Sequence, residues 1–584
     1  MRPVPRVAAP WQLLLCVVLV FAAIAAAAAL YRPLIFDEAE FRLVAAGISR
    51  HGVPVSLAGE DAFLRSDVAH GAYLGLWHPP LYTYLLAVSY ALGGSVSDAS
   101  TRAVGTLANA MTLLLAALLA LRAVGGGLNE SPERAVAPWL AALLLAANPF
   151  FVQGALYADI DTALLPLLTL AWCGAVWTAE LRSPLRPAVW AGLIALSTLL
   201  FWAKLTTPPI CFAALGAWFV VQREWPAFRR LVVIGAAAGV LFAITWLAYA
   251  WSTHVPWDFF VRYTFINKAG QYARVHLDAA RIVTSSARTV LWLTPSLALL
   301  TLLGATAAMR AGRAGALGLS AMSWSLAGVI TVAYSVWYGA EVTKYIVPVV
   351  PLLALAAGVA LAPEASTWTR PKLAYIALAA LAAAVWHAGI TGDMFTVPPT
   401  GVRIQASRDL MQLWHDPRLR TWLCLPMPVL ILPVIFRLAG TQAWRSAFVQ
   451  GALAATIGLG ISQHAMSAAT PYSPLTFRPQ PDLLRAADTL RMRCHESIAV
   501  AQKEIVVRLD ASRCRAISTD GGPGAIVNED SLASRVDSDP RIRWVLQSAS
   551  YPMYPPTGLL QAVLARRFAP ATAIGDYRLF ERQR

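Results

Sequence analysis

Charge is what this sequence has least of. Only 14% of its 584 residues are Asp, Glu, Lys or Arg, against 58% that are hydrophobic. A soluble globular surface needs more charge than that. Cysteine is sparse too. Of the six, Cys16, Cys173, Cys211 and Cys424 lie in or beside apolar runs, where Cys behaves as a small hydrophobe. There is no CxxC pair and no Cys/His spacing of the kind that holds a metal. No internal repeat is visible, so the matched halves of many secondary transporters are missing. Acidic residues are outnumbered 32 to 47, for a net charge of +15. No basic stripe interleaved with aromatics accompanies that excess, which argues against a nucleic-acid partner.

What the sequence does have is apolar runs near the length of a bilayer core. Segments 11–31, 101–121, 135–149, 160–178, 188–202, 205–221, 231–251, 289–308, 315–336, 345–362, 372–390, 420–436 and 446–464 read as transmembrane helices, about thirteen in all. The class that follows is a polytopic α-helical membrane protein. With the N-terminus inside, the inside connections carry Arg122/Arg134, Arg182/Arg186, Arg223/Arg229/Arg230, Arg310/Arg313, Arg370/Lys372 and Arg437/Arg445. Excess Lys and Arg belong on the cytoplasmic side.

One apolar run stays out of that count. Residues 79–92 open on two prolines and stop at Gly93-Gly94. About 14 residues suit a re-entrant or interfacial helix better than a span. Counting it would also turn every later basic loop outward. The first segment ends in AAAAA before Tyr31. Its apolar stretch exceeds a signal-peptide core, which favours a retained helix.

The outside then holds a first loop, 32–100, with an amphipathic interfacial helix around Phe41, Val44, Ala45 and Ile48. It also holds loops 252–288 and 391–419, and a polar tail, 470–584. The tail shows a helix at 481–493 and strand-like runs at 498–508, 541–547 and 573–580. It reads as a small extracytoplasmic α/β domain beside a membrane domain of residues 1–469. Cys494 and Cys514 lie in the tail, either as a disulfide, if it is extracytoplasmic, or as two free thiols.

With that topology, the polar residues that need explaining collect on the outer side. Asp37-Glu38 follow the first span, and Trp77-His78-Pro79-Pro80 open the re-entrant helix. Asp159 and Asp161 flank Ile160, Lys204 joins two apolar runs, Arg274 and His276 sit in a loop, and Lys344-Tyr345 begin a span. Singly, each has a plain reading: Asp161 before Thr162 as a helix cap, Lys204 reaching the headgroups, Lys344 pairing with Glu341. Together they call for a function, because ionisable groups in membrane segments cost about 2.5–3.5 kcal/mol each.

Carboxylates beside cations at a membrane face suit an anionic, lipid-borne substrate. Cations hold a phosphate leaving group as charge develops. A carboxylate takes the proton of an attacking hydroxyl. The aromatics Trp257, Phe259, Phe260, Tyr263 and Phe265 suit a long isoprenoid tail. Outside the cytoplasm, a lipid phosphate brings its own activation.

A family resemblance rests on these residues. Asp37-Glu38 past the first span, His-Pro-Pro-Leu at 78–81 and Arg102 entering the second span resemble the protein O-mannosyltransferases. ALYADIDTALLP (155–166), FWAKLTTP (201–208) and KYIVPVVPLLAL (344–355) resemble the bacterial branch that includes the lipid A aminoarabinose transferase. Both are C-type membrane glycosyltransferases, and the resemblance covers roughly residues 10–365. It implies a polyprenyl-phosphate sugar donor, hexosyl or pentosyl transfer at the outer face of the cytoplasmic membrane, and inversion at the anomeric carbon. The acceptor would be a lipid, a glycan or a protein.

The resemblance also implies roles. Asp37 is the catalytic base, with Glu38 beside it and Asp161 as the second acidic position. His78, Lys204, Arg274 and Tyr345 match positions at or near the donor phosphate; Lys344 stands where the branch often has Arg, giving a point charge in place of a fork. Asp159 is structural or supports these groups. No cofactor follows from the residues; a divalent cation at the acidic cluster is unnecessary beside those cations. The rival classes are a multi-span lipid or solute transporter or flippase, and a non-catalytic assembly protein with a periplasmic domain.

Overall fold

The computed structural model describes residues 8–30, 32–34, 37–56, 74–76, 78–124, 131–259, 279–337, 344–391, 444–469, 482–509, 513–518, 529–548 and 558–583. The chain divides into two compact units. One comprises Met1–Leu30, Gly105–Leu241 and Gln271–Phe477; the other comprises Tyr31–Val104, Phe242–Gly270 and Arg478–Arg584.

The described helices before the C-terminal region are α1 (Ala9–Ala29), α2 (Asp37–His51), α3 (Leu81–Gly93), α4 (Asp98–Val124), α5 (Pro132–Ala146), α6 (Pro149–Leu156), α7 (Leu164–Thr178) and α8 (Pro187–Ala203). They continue as α9 (Thr207–Val221), α10 (Trp225–Thr253), α11 (Ala279–Trp292), α12 (Pro295–Arg310) and α13 (Ala314–Trp337). After a 3-10 turn at Lys344–Val349 come α14 (Val350–Ser366), α15 (Arg370–Thr391) and α16 (Trp444–Ala469). Helices occur at every expected span except 420–436, which lies outside the described residues. By length and apolar composition, however, six are long enough to cross a membrane among the described residues, or seven if the bent pair α5–α6 counts as one. Five more apolar helices, α3, α7, α8, α9 and α12, are shorter, because the chain breaks where polar residues and prolines stand; α16 has 26 residues but is not among the six.

The breaks have local causes. Ser131 caps α5, its Oγ accepting the Arg134 N–H at 3.3 Å, with Pro132 at the first helical position. Asn148 opens α6: its Oδ1 accepts the N–H groups of Phe150 and Phe151, each at 3.0 Å. The two helices meet at 71°. The expected span 289–308 is broken at Thr294, which sits at φ 67° before Pro295, since the residue before proline avoids helical backbone. The expected span at 345–362 starts as 3-10 through Pro348 and becomes α-helical at Val350. α3 has 13 residues, about 20 Å at 1.5 Å per residue, short of a hydrocarbon core of about 30 Å.

Within the first unit, α14 is the central helix. It is apolar all round and packs on α5, α12 and α13, as expected for a helix with no solvent face. Small residues permit the contact: a Cβ on Gly358 would lie 2.7 Å from the Ala141 Cα. α15 and α16 pack together, and α16 also packs on α1.

In the second unit, the C-terminal region forms α17 (Leu483–Arg493), β1 (Ser497–Ala501), α18 (Lys503–Val506), β2 (Cys514–Ser518), α19 (Glu529–Ser538), β3 (Ile542–Ser548), α20 (Leu559–Arg567), β4 (Phe568–Ile574) and β5 (Tyr577–Arg582). The sheet order is β2-β1-β3-β5-β4, with β2, β1 and β3 parallel and the last two strands antiparallel. Alternate strand residues feed two cores, one under α17, the other under α19 and α20. Cys494 and Cys514 form a disulfide, which settles the alternative the sequence left open.

Two expected strands differ. The run 498–508 yields only β1 and then the one-turn helix α18. The run 573–580 is a hairpin, turning at Gly575-Asp576 with Ile574 paired to Tyr577. Gly575 has φ 54°, and a Cβ there would lie 1.5 Å from Asp482 Oδ2, so both the turn and the approach require glycine. The compact unit holding this sheet also takes in 31–104, because Leu34, Ala39 and Leu43 share the α17 core. The expected boundary at 470 falls outside the described residues.

Candidate active site

Five of the nominated residues come together in the first unit. The turn between α6 and α7 carries Asp159 and Asp161, both buried. Asp159 Oδ1 accepts the Asp161 N–H at 2.8 Å, an Asx-type turn. The turn is pressed against α6: a Cβ on Gly154 would lie 2.0 Å from the Thr162 carbonyl oxygen, and one on Gly105 2.0 Å from that of Gly154. Two consecutive close approaches of this kind leave no room for side chains.

Lys204 ends α8, its N–H bonded to the Leu200 carbonyl at 2.9 Å. Its Nζ lies 2.5 Å from Asp161 Oδ1, with both side chains 3% exposed. The same ammonium sits 4.4 Å from the centre of the Tyr345 ring, a cation–π distance. Lys344, the first residue of the 3-10 turn, pairs through Nζ with Asp159 Oδ2. The result is a row of two carboxylates and two ammonium groups beside an aromatic ring, buried except at the Lys344 end. Its formal charge balances, which is why it can be buried at all. Asp161 and Tyr345 also line a cavity of about 20 Å³ with Thr169 and Thr207. That is room for a single water.

Asp37, Glu38 and His78 belong to the second unit. Asp37 is the first residue of α2, and Glu38 and Glu40 share its first turn, where carboxylates meet the positive end of the helix dipole. Glu38 is 1% exposed. It accepts two hydrogen bonds from Arg102, Nε to Oε1 and Nη2 to Oε2, both at 3.0 Å. Arg102 Nη1 also donates to the Arg32 carbonyl at 3.1 Å. Burial pulls the Arg32 guanidinium down to about 10, with Arg102 adding to the fall and Glu38 opposing it. His78 is half-buried, just ahead of α3. α3 meets α2 through Tyr82, whose ring stands edge-on to Phe41 with centres 5.0 Å apart.

The geometry gives different surroundings to carboxylates that the sequence left alike. Glu38 is saturated by Arg102, while Asp37 stands half-buried at the helix start. Asp161 is engaged by Lys204, so its carboxylate orients a cation. Asp159 does the same for Lys344. Each carboxylate is thus engaged by a lysine; among the described residues no group of three His, Cys, Asp or Glu comes together as metal ligands would. Arg274 and His276 lie outside the described residues, as do Trp77 and most of the aromatic loop.

Sequence reasoning missed a second polar cluster. Asp98, at the head of α4, pairs with Arg42 of α2 and accepts from Arg508 Nη2 at 3.0 Å. Burial lowers the Arg42 pKa, opposed chiefly by Asp98. The only signal available was the acidic residue opening an apolar helix; its partners lie 56 residues before and 410 after it.

No family model matches this chain. No curated protein matches it either. Among solved structures, the fold resembles that of ArnT. The crystal structure of ArnT from Cupriavidus metallidurans bound to undecaprenyl phosphate matches with a TM-score of 0.56 and 16% identity, covering 97% of each chain. The apo form of the same protein matches at 0.55 and 16%, over 98% of this chain and 97% of that one. At such identity the likeness defines the fold, from the first helix to the C-terminal sheet.

Proposed function

We propose that this chain transfers a sugar from a polyprenyl-phosphate donor to an acceptor at the outer face of the cytoplasmic membrane, which is the periplasmic face in a Gram-negative bacterium. The observation that carries the reading is the row Lys344–Asp159 and Asp161–Lys204 beside Tyr345. Two ammonium groups in a largely water-excluded setting attract a phosphate strongly. Their carboxylate partners hold them in place until an anion arrives. Lys204 and Lys344 then contact the phosphate, with Asp159 and Asp161 as their counter-ions. Tyr345 shapes the wall of that pocket; His78 and Arg274 are proposed near the donor phosphate on the family resemblance alone.

The reaction proceeds with Asp37 as general base. The acceptor hydroxyl or amine attacks the anomeric carbon from the side opposite the phosphate, and Asp37 takes its proton. The bond from that carbon to the phosphate oxygen breaks, its electron pair stays with the phosphate, and configuration inverts. The lysines stabilise the charge that develops on the departing lipid phosphate. Glu38 does not compete as base, because Arg102 occupies both of its oxygens. The fold shared with ArnT, crystallised with undecaprenyl phosphate, supports this donor class. In this reading residues 1–469 form the glycosyltransferase domain and 470–584 the extracytoplasmic domain.

The test is turnover. Purified protein in lipid is incubated with a panel of polyprenyl-phosphate sugars and lipid, glycan and protein acceptors, and donor loss is followed by mass spectrometry. Turnover that disappears in Asp37→Asn, with donor binding retained, is the expected result. Folded protein that neither binds nor consumes any donor would overturn the reading and favour transport or assembly.

A further inference from the structure

The helix that carries Asp37 is built into the C-terminal domain's core. Leu34, Ala39 and Leu43 are buried in one apolar cluster with Leu483, Leu490 and Val506. Ala39 and Leu43 are two and six residues from Asp37 on the same helix. A rigid helix rises 1.5 Å per residue, so anything that shifts this seam moves Asp37, about 9 Å from Leu43, by a similar amount. A polar clasp closes the edge of the seam. Arg508, just past α18, and Arg42, on α2, converge on Asp98. All three side chains are largely withdrawn from solvent, at 21%, 15% and 20% exposure.

The C-terminal side of the seam is rigid in its own right. The Cys494–Cys514 disulfide ties the end of α17 to β2, and both cysteines belong to the same apolar cluster. α18, between β1 and Arg508, contributes Ile505 and Val506 to it. One turn beyond Leu43 on the same face of α2, a Cβ on Gly47 would lie 1.8 Å from the Val55 carbonyl oxygen. α2 is thus closely met along this face by the apolar cluster and by its own loop.

We infer that the C-terminal domain is a positioning element for Asp37, holding α2 in register through the Leu34–Ala39–Leu43 seam and the Arg42–Asp98–Arg508 clasp. The inference rests on the reading of Asp37 as the base. Arg508 and Asp98 touch no reacting group; they act through α2. A displacement of about 1 Å at a catalytic group costs up to about 10²-fold in rate, so a modest loosening of the seam is read directly in turnover.

The experiment combines hydrogen exchange of the full-length protein in lipid with donor turnover, for wild type, Arg508→Ala, Arg508→Lys and Asp98→Asn. In Arg508→Ala, exchange across 38–51 rises about tenfold while β1 and β3 keep their protection. Its kcat falls about tenfold with donor KM within about twofold, the pattern of a displaced catalytic group. Arg508→Lys recovers most of both, because a point charge still reaches Asp98. Asp98→Asn, which lies outside the sheet, repeats the effect should Arg508→Ala disturb the C-terminal fold. Unchanged exchange across 38–51 in both Arg508→Ala and Asp98→Asn overturns the inference. So does raised exchange with kcat and KM unchanged, in a protein that Asp37→Asn inactivates. If Asp37→Asn itself turns over normally, the base assignment fails, and the exchange data still decide whether the C-terminal domain holds α2.

Discussion

Glu38 and Arg102 face each other through two parallel hydrogen bonds of 3.0 Å, with both side chains 2% exposed. This bidentate pair joins the first turn of α2 to the head of α4. It engages both oxygens of one of two adjacent carboxylates, whereas the other, Asp37, is the first residue of the helix.

That relationship separates two neighbouring substitutions. On the reading of Asp37 as base, Asp37→Asn lowers kcat by about 10²–10⁴-fold, the usual contribution of a general base, while folded protein that binds donor is still obtained. Glu38→Gln instead lowers the melting temperature, because Arg102 keeps its charge and loses its partner. Breaking one side of a buried pair costs about 3–5 kcal/mol, whereas replacing both sides with apolar residues costs far less. A Glu38→Met/Arg102→Leu double variant therefore unfolds at a higher temperature than either single one.

Lys204→Met makes the same argument at the other cluster. It strands Asp161 as a buried carboxylate, destabilising the protein by about 3–5 kcal/mol, and raises donor KM. Lys344→Met is milder in stability, since Lys344 is 18% exposed, and raises donor KM as well. Lys344→Arg keeps the charge and offers a fork to the phosphate. Donor titrations on the three variants check the order.

Gly154→Ala tests the turn beneath the cluster. Its Cβ would stand 2.0 Å from the Thr162 carbonyl oxygen, so the turn bearing Asp159 and Asp161 must move. Overpacking of this kind costs about 1–3 kcal/mol. The shift of two lysine partners lowers turnover by about 10²-fold, measured under single-turnover conditions.

Removing the disulfide tests the C-terminal domain. Cys494 and Cys514 are 20 residues apart, and closing a loop of that size contributes about 3 kcal/mol. Cys494→Ser/Cys514→Ser, or a reductant, lowers the denaturation midpoint of residues 482–583, read by limited proteolysis. If α2 depends on that domain, its hydrogen exchange rises in parallel.

Much of this molecule was legible in the residue order. Length and apolar runs determine that the chain is a helical membrane protein, because a bilayer core imposes one length and one composition. The sequence also shows which polar residues resist explanation: Asp37, Asp159, Asp161, Lys204 and Lys344 stand out against apolar surroundings. Turn chemistry was local enough to anticipate in part, as at Gly93-Gly94 after α3, where Gly94 takes φ 67°.

What the tertiary structure alone decided is pairing. Nothing in the order of residues matches Lys204 to Asp161 and Lys344 to Asp159 in preference to the reverse; packing of α6, α8 and the 3-10 turn does. Likewise, Asp37 and Glu38 are equivalent in sequence, and only the long-range approach of Arg102 distinguishes them. The span lengths differ for a related reason, since hydropathy averages over windows whereas a proline or a capped polar residue ends a helix at one position. Composition determined the solvent this chain lives in; the contacts between distant residues determined which charge pairs with which.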